Sequence, residues 1–142
     1  MRIIFTGGGT LGSVTPLIAL YEALSKPVQA VWIGTRSGPE RELVCEYHMP
    51  FRAIFSGKLR RYLSIKNFFD PILFCIGMVQ AARVISVFRP DYIIGAGGYV
   101  SVPVIWAGWL LKKKIIILQL DIQPSLTLHV KSRRYIFPQE NQ

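Results

Sequence analysis

Cysteine, histidine and acidic side chains are all scarce in this chain. Its 142 residues include two cysteines, two histidines and eight carboxylates, against seventeen lysines and arginines. Cys45 and Cys75 fall in different predicted helices and in no C-x-x-C spacing, which excludes a disulfide framework or thiolate metal site and fits reduced cytoplasmic thiols. His48 and His129 lack any ligand-spaced partner, so no metal is expected. Long apolar runs are missing too. Ile72 to Val79 is followed by Gln80 and Arg83, and Val100 to Leu111 stops at Lys112-Lys113-Lys114. Both fall short of the roughly 20 apolar residues that a spanning helix needs. Arg2-Ile3-Ile4-Phe5 leads straight into a glycine turn without a small-residue cleavage site, and reads as a strand rather than a leader. Only 18% of residues are charged and 51% are hydrophobic, which excludes disorder for most of the chain. There is no internal repeat beyond two glycine-rich loops and no low-complexity linker, so the length implies one domain burying roughly two-thirds of its unfolded surface.

What the sequence does have is glycine in two informative places. The first is Thr6-Gly7-Gly8-Gly9-Thr10-Leu11-Gly12-Ser13-Val14-Thr15-Pro16, a bare turn between an apolar strand and a helix. Glycine permits positive φ and close backbone approach, and the N-terminus of the following helix offers unpaired N–H groups to an anion. Pro16 suits the first helical turn. Gly7, Gly9 and Gly12 satisfy the dinucleotide spacing G-x-G-x-x-G, a weak signal alone. That reading wants an acidic residue at the end of the second strand, and Val28 to Gly34 ends instead in Thr35-Arg36-Ser37. Only an NADP version survives, with Arg36 on a 2′-phosphate. No Gly-Lys-Ser/Thr follows, which excludes a Walker loop.

The second place is Gly95-Ala96-Gly97-Gly98-Tyr99-Val100-Ser101, after a strand at Asp91 to Ile94 and before a helix from about Pro103 to Leu111. The remaining elements alternate. Strands are predicted at Arg2 to Thr6, Val28 to Gly34, Phe51 to Phe55 and Ile115 to Leu120. Helices are predicted at Pro16 to Ser25, Pro39 to Tyr47 and, with Asp70-Pro71 as N-cap and first turn, on to Phe88. This order implies an α/β fold with a doubly wound, Rossmann-like parallel sheet, and it brings both glycine loops to the sheet edge where such folds bind ligands.

Five blocks occur in order: Gly8-Gly9-Thr10-x-Gly12-x-Val14-x-Pro16, Ile33-Gly34-Thr35, Pro90-Asp91, Gly97-Gly98-Tyr99-Val100-Ser101-x-Pro103 and Leu126-Thr127. In order and spacing they resemble the MurG family, the bacterial transferases that add N-acetylglucosamine to lipid I. The resemblance covers residues 2 to 127. It implies the N-terminal, acceptor-binding half of a two-domain GT-B glycosyltransferase, with residues 1–127 as that domain and 128–142 as a divergent, frayed or truncated tail.

The resemblance also implies roles for particular residues. Thr10, Leu11 and Gly12 match the segment that contacts the sugar-nucleotide donor, with Leu11 in place of a glycine. Ser13 stands where the family has a histidine proposed to take part in acceptor deprotonation or binding; its plain role would be an N-cap. Gly97, Gly98, Tyr99 and Ser101 would cradle the acceptor diphosphate through amides and hydroxyls, and Gly98→Val is expected to exclude it while leaving the fold intact. Asp121 aligns with a donor-contacting Asn. As the only carboxylate near the predicted cleft it is the best candidate base, its plain reading being a turn or N-cap aspartate. The substrates implied are UDP-N-acetylglucosamine and lipid I, with no cofactor and no metal.

Charge is uneven along the chain. Residues 1–56 hold five basic and four acidic side chains, whereas residues 57–142 hold twelve and four. Lys58, Arg60, Arg61 and Lys66 precede the apolar Phe68-Phe69 and Ile72-Leu73-Phe74, and three lysines follow Trp106 and Trp109. That grouping suits an anionic membrane surface, at about 1 kcal/mol for each basic residue near it. No nucleic-acid motif accompanies the basic residues. The expectation is a peripheral protein at the cytoplasmic face of the plasma membrane. It would bind a lipid-linked acceptor and be completed by a C-terminal donor domain or a separate donor subunit, as in a split glycosyltransferase. The alternatives are an NADP-binding oxidoreductase domain and a non-catalytic membrane scaffold.

Overall fold

A computed structural model describes residues 1–9, 11–24, 27–56 and 70–118. Five strands, β1 (Arg2–Thr6), β2 (Gln29–Thr35), β3 (Phe51–Ile54), β4 (Tyr92–Gly95) and β5 (Lys114–Ile117), form one sheet in the order β3-β2-β1-β4-β5. Every pairing is parallel. The doubly wound expectation holds. Four helices connect the strands: α1 (Thr15–Ala23), α2 (Glu40–Glu46), α3 (Asp70–Phe88) and α4 (Ser101–Leu110).

Alternation along the strands sends side chains to two cores. Ile4, Ile33, Ile54 and Ile93 pack beneath α3 and α4 with Ala81, Ile85, Val104 and Ala107. Ile3, Phe5, Trp32 and Ile94 face α1 and α2 with Leu17, Ile18 and Val44. Each face of a parallel sheet has to be covered, which is why its strands are nearly continuous runs of apolar residues. Phe5 stacks on Trp32 at 6.2 Å between ring centroids, and the indole donates to Gly7 O at 3.2 Å. That bond fixes the first residue beyond β1.

Three local details differ from expectation. Ser13 does not cap α1. It lies in a 3-10 turn, Leu11–Ser13, and the capping position is Val14, which makes no side-chain bond. Leu11 adopts that right-handed turn and so avoids the positive φ that a side chain there would resist. Gly95 ends β4 and Ser101 opens α4, so the second glycine loop is only Ala96 to Val100.

Candidate functional site

β1 is the central strand, with β2 on one side and β4 on the other. The chain winds away from it in both directions, so the ends of β1 and β4 flank the switch point at which open α/β sheets place ligands. Both glycine loops leave from there.

The loops touch. Gly98 has φ +83°, and a Cβ on it would overlap the carbonyl of Gly8. Gly9 has φ +90°, and a Cβ on it would stand 2.5 Å from Tyr99 Cε1. A side chain at either position would part the two loops, so Gly98→Val would disturb the packing of the site itself, contrary to the expectation of an intact fold. Gly97 differs. It also has positive φ, +90°, yet a Cβ there would meet nothing within 4 Å among the described residues. A Cβ on Gly12, beside the exposed Leu11, likewise meets none of the described residues. Among the described residues, Gly97 and Gly12 are therefore the glycines of the two loops around which space is left for a ligand.

Ser101 is fully buried. Its hydroxyl lies 2.6 Å from Gly97 O and 3.1 Å from Thr6 O, sharing its one proton between the two carbonyls. It joins the end of β1 to the second loop from below, and its side chain is not on the ligand-facing surface. Ser13 is also buried, inside the 3-10 turn.

Glu40 is the residue that sequence reasoning missed. It opens α2, is 0% exposed, and sits under the first loop, which corrects the expectation that Asp121 is the only carboxylate near the cleft. Glu40 Oε1 accepts from Thr35 N–H at 2.8 Å and from the Thr35 hydroxyl at 2.5 Å. Its Oε2 accepts from Gly9 N–H at 3.3 Å. Side chains at Gly8 or Gly38 would collide with the carboxylate, so these glycines make its niche. Tyr99, half-buried, bonds to the Thr35 side chain; burial first, and the Glu40 charge second, push its phenol above the usual pKa, with the Thr35 bond opposing. In sequence Glu40 is only a carboxylate five residues beyond β2 at the start of α2, set apart from the strand end where a ribose partner would stand.

This geometry bears on the dinucleotide alternative. The Gly9 amide already serves Glu40, and Arg36 lies over the Phe55 ring at 5.0 Å. A pyrophosphate on the first loop would lose that donor and meet a carboxylate behind it. Among the described residues no group of His, Cys, Asp or Glu could hold a metal ion. Thr10 and Asp121, and the basic residues Lys58, Arg60, Arg61 and Lys66, lie outside the described residues. Two cavities, about 750 and 490 Å³, lie around Arg2 and Gln29 at the opposite ends of the strands. The loops' positive-φ backbone and switch-point position are the pointer to a ligand at this edge.

Residues 3–135 match the sequence model of the glycosyltransferase family 28 N-terminal domain. The chain belongs to this family. The match runs past Thr127, where the motif-by-motif likeness stops. Among similar family 28 proteins is a Treponema pallidum "UDP-N-acetylglucosamine--N-acetylmuramyl-(pentapeptide) pyrophosphoryl-undecaprenol N-acetylglucosamine transferase". It is 39% identical over 133 residues, covering 92% of this chain and 35% of that protein. A Legionella pneumophila protein of the same name is 40% identical over 125 residues, covering 87% of this chain and 34% of that protein. The crystal structure of Acinetobacter baumannii MurG superposes with a TM-score of 0.76 at 25% identity, over 90% of this chain and 37% of that one. A Streptomyces glycosyltransferase, SsfS6, shares the fold at a TM-score of 0.61 and 14% identity, over 90% of this chain and 42% of that one. This family 28 chain thus spans about a third of the length of the curated relatives it matches.

Proposed function

We propose that this chain is the acceptor-binding half of an inverting N-acetylglucosaminyltransferase that converts lipid I to lipid II. The observation that carries the reading is the meeting of two glycine loops at the switch point, with Gly97 held at positive φ and clear of every other described residue on its Cβ side. Family membership and the names of the relatives support it.

In this reading the backbone amides of the second loop receive the acceptor diphosphate, with Tyr99 beside it and Ser101 holding the loop's shape from beneath. Leu11 and Gly12, exposed beyond the first loop, are assigned to the donor sugar nucleotide, as is Thr10, which lies outside the described residues. Transfer needs a base for the acceptor hydroxyl and a stabilised leaving diphosphate. Asp121 is the candidate base. Glu40 is not, because it is fully buried and accepts three hydrogen bonds. Ser13, enclosed in its turn, is left with a structural part. The donor's diphosphate is assigned to a second domain, in the same or another polypeptide, and no metal is invoked.

The layer formed by α3 and α4 supports a peripheral attachment to the membrane. Ile72, Ile76 and Val79 on α3 and Trp106, Trp109, Leu110 and Leu111 around α4 are exposed, and these two helices pack on each other. Trp106 meets Trp109 edge to face at 6.3 Å, and Lys112 and Lys113 follow. No helix among the described residues is long and apolar enough to cross a membrane. Indole rings beside lysines suit the headgroup depth, where the lipid-linked acceptor would be met on the cytoplasmic face.

Titrating the chain with a soluble lipid I analogue tests the reading. Saturable binding that is lost in Gly97→Val, with the fold retained, is expected. An analogue that binds the variant as well as the wild type would remove the second loop from the acceptor site.

A further inference from the structure

Glu40 does more than fill space. A carboxylate taken wholly out of water is costly unless donors surround it, and here the donors are three hydrogen bonds with no cation paired to it among the described residues. One donor belongs to the first glycine loop, through Gly9 N–H. The other two come from Thr35, whose side chain also bonds to Tyr99 of the second loop. The Tyr99 ring closes the circuit by packing on Gly9. One buried side chain thus reaches both loops by short paths.

We propose that Glu40 is a positioning residue that locks the first glycine loop against the second and reserves anion binding for the second. The Gly9 amide, in a loop whose sequence suits a phosphate, is already satisfied, and the carboxylate behind it opposes a second anion. Among the described residues, no side chain occupies the amide of Gly97 in this way. The site therefore takes one diphosphate, on the second loop, and the first loop is left to contact uncharged parts of a ligand. The ligand half of this inference rests on the acceptor reading above; the lock itself does not.

Amide NMR on the isotopically labelled chain separates the two. Glu40→Gln keeps an accepting oxygen near Gly9, and Glu40→Ala removes it. Gly9 N–H exchange is expected to be slow in the wild type, similar in Glu40→Gln, and faster by about tenfold or more in Glu40→Ala. In Glu40→Ala the Tyr99 ring and Gly98 resonances should move as well, while those of the distant Ile115 stay in place. Inorganic pyrophosphate added to the wild type should shift Gly97 and leave Gly9 unmoved. A Gly9 amide that exchanges as fast as an unstructured glycine in the wild type overturns the lock, whether or not the alanine variant folds. Pyrophosphate shifts at Gly9 equal to those at Gly97 overturn the reservation. If pyrophosphate moves neither loop, the acceptor reading and the reservation built on it fall together, and the exchange rates still decide the lock.

Discussion

The ring of Tyr99 lies so close to Gly9 that a methyl group on the glycine would stand 2.5 Å from Cε1. Two segments ninety residues apart in sequence therefore share one surface, and each limits what the other can become.

Substitutions should rank by this contact. Gly9→Ala combines positive φ with the collision and is expected to cost about 1–3 kcal/mol, while Gly97→Ala carries the φ strain alone and should cost about 1 kcal/mol. Gly98→Val, directed at the Gly8 carbonyl, should be the most damaging of the three. Chemical denaturation of the set checks the order.

Ser101→Ala should lower stability by about 0.5–1.5 kcal/mol, because the hydroxyl serves Thr6 and Gly97 rather than solvent. Acceptor-analogue affinity should weaken only as far as the loop loosens. A large affinity loss with unchanged stability would place the hydroxyl on the ligand.

The Tyr99 phenol should titrate above its ordinary value of 10.0, burial being the larger cause and Glu40 the smaller. Since the folded protein holds this proton more tightly than the unfolded chain, its contribution is full below pH 10 and falls as pH rises through the folded value. Glu40→Gln should bring the phenol part of the way back down. Ring chemical shifts followed against pH read both effects.

Incubated with lipid I analogue and UDP-N-acetylglucosamine, the 142-residue chain should bind acceptor but transfer no sugar, because differential binding of the transition state needs the donor diphosphate to be held. Turnover above background without a donor domain would contradict the division of labour proposed above.

Vesicles test the apolar face. Anionic lipid should bind the chain more than neutral lipid, with tryptophan emission shifting to the blue. High salt should weaken binding, since surface charges are screened beyond about 8 Å at physiological ionic strength. Lys58, Arg60, Arg61 and Lys66 replaced together by glutamine should remove most of the preference.

The sheet was legible because its strands are short apolar runs set between helices, and the glycine loops because nothing else in a packed domain calls for such bare backbone. Glu40 was not legible, since a carboxylate in the first turn of a helix is an ordinary surface residue. Only the folded loop above it, with Gly8 and Gly38 cleared to admit it, turns it inward. The burial of Ser101 was hidden for a related reason: a hydroxyl after two glycines looks available to a ligand until the helix begins at it and buries it. The start of α1 was misplaced because Thr15 precedes Pro16 in the helix and Val14 takes the capping position without a polar side chain.

The central place of β1 has a consequence for how this molecule is made. Its first bond to the far side, from Arg2 N–H to Asp91 Oδ2 at 2.8 Å, spans 89 positions, and the β1–β4 ladder follows from it. During synthesis β1 can pair with β2 early, but its other edge stays unpaired until Tyr92 to Gly95 has emerged. Parallel pairing across so long a separation is slow, because the closure entropy comes before the contacts that offset it. The nascent chain therefore carries an exposed strand edge until Gly95 has been made and has emerged. The seam between the two glycine loops forms only after that edge has closed.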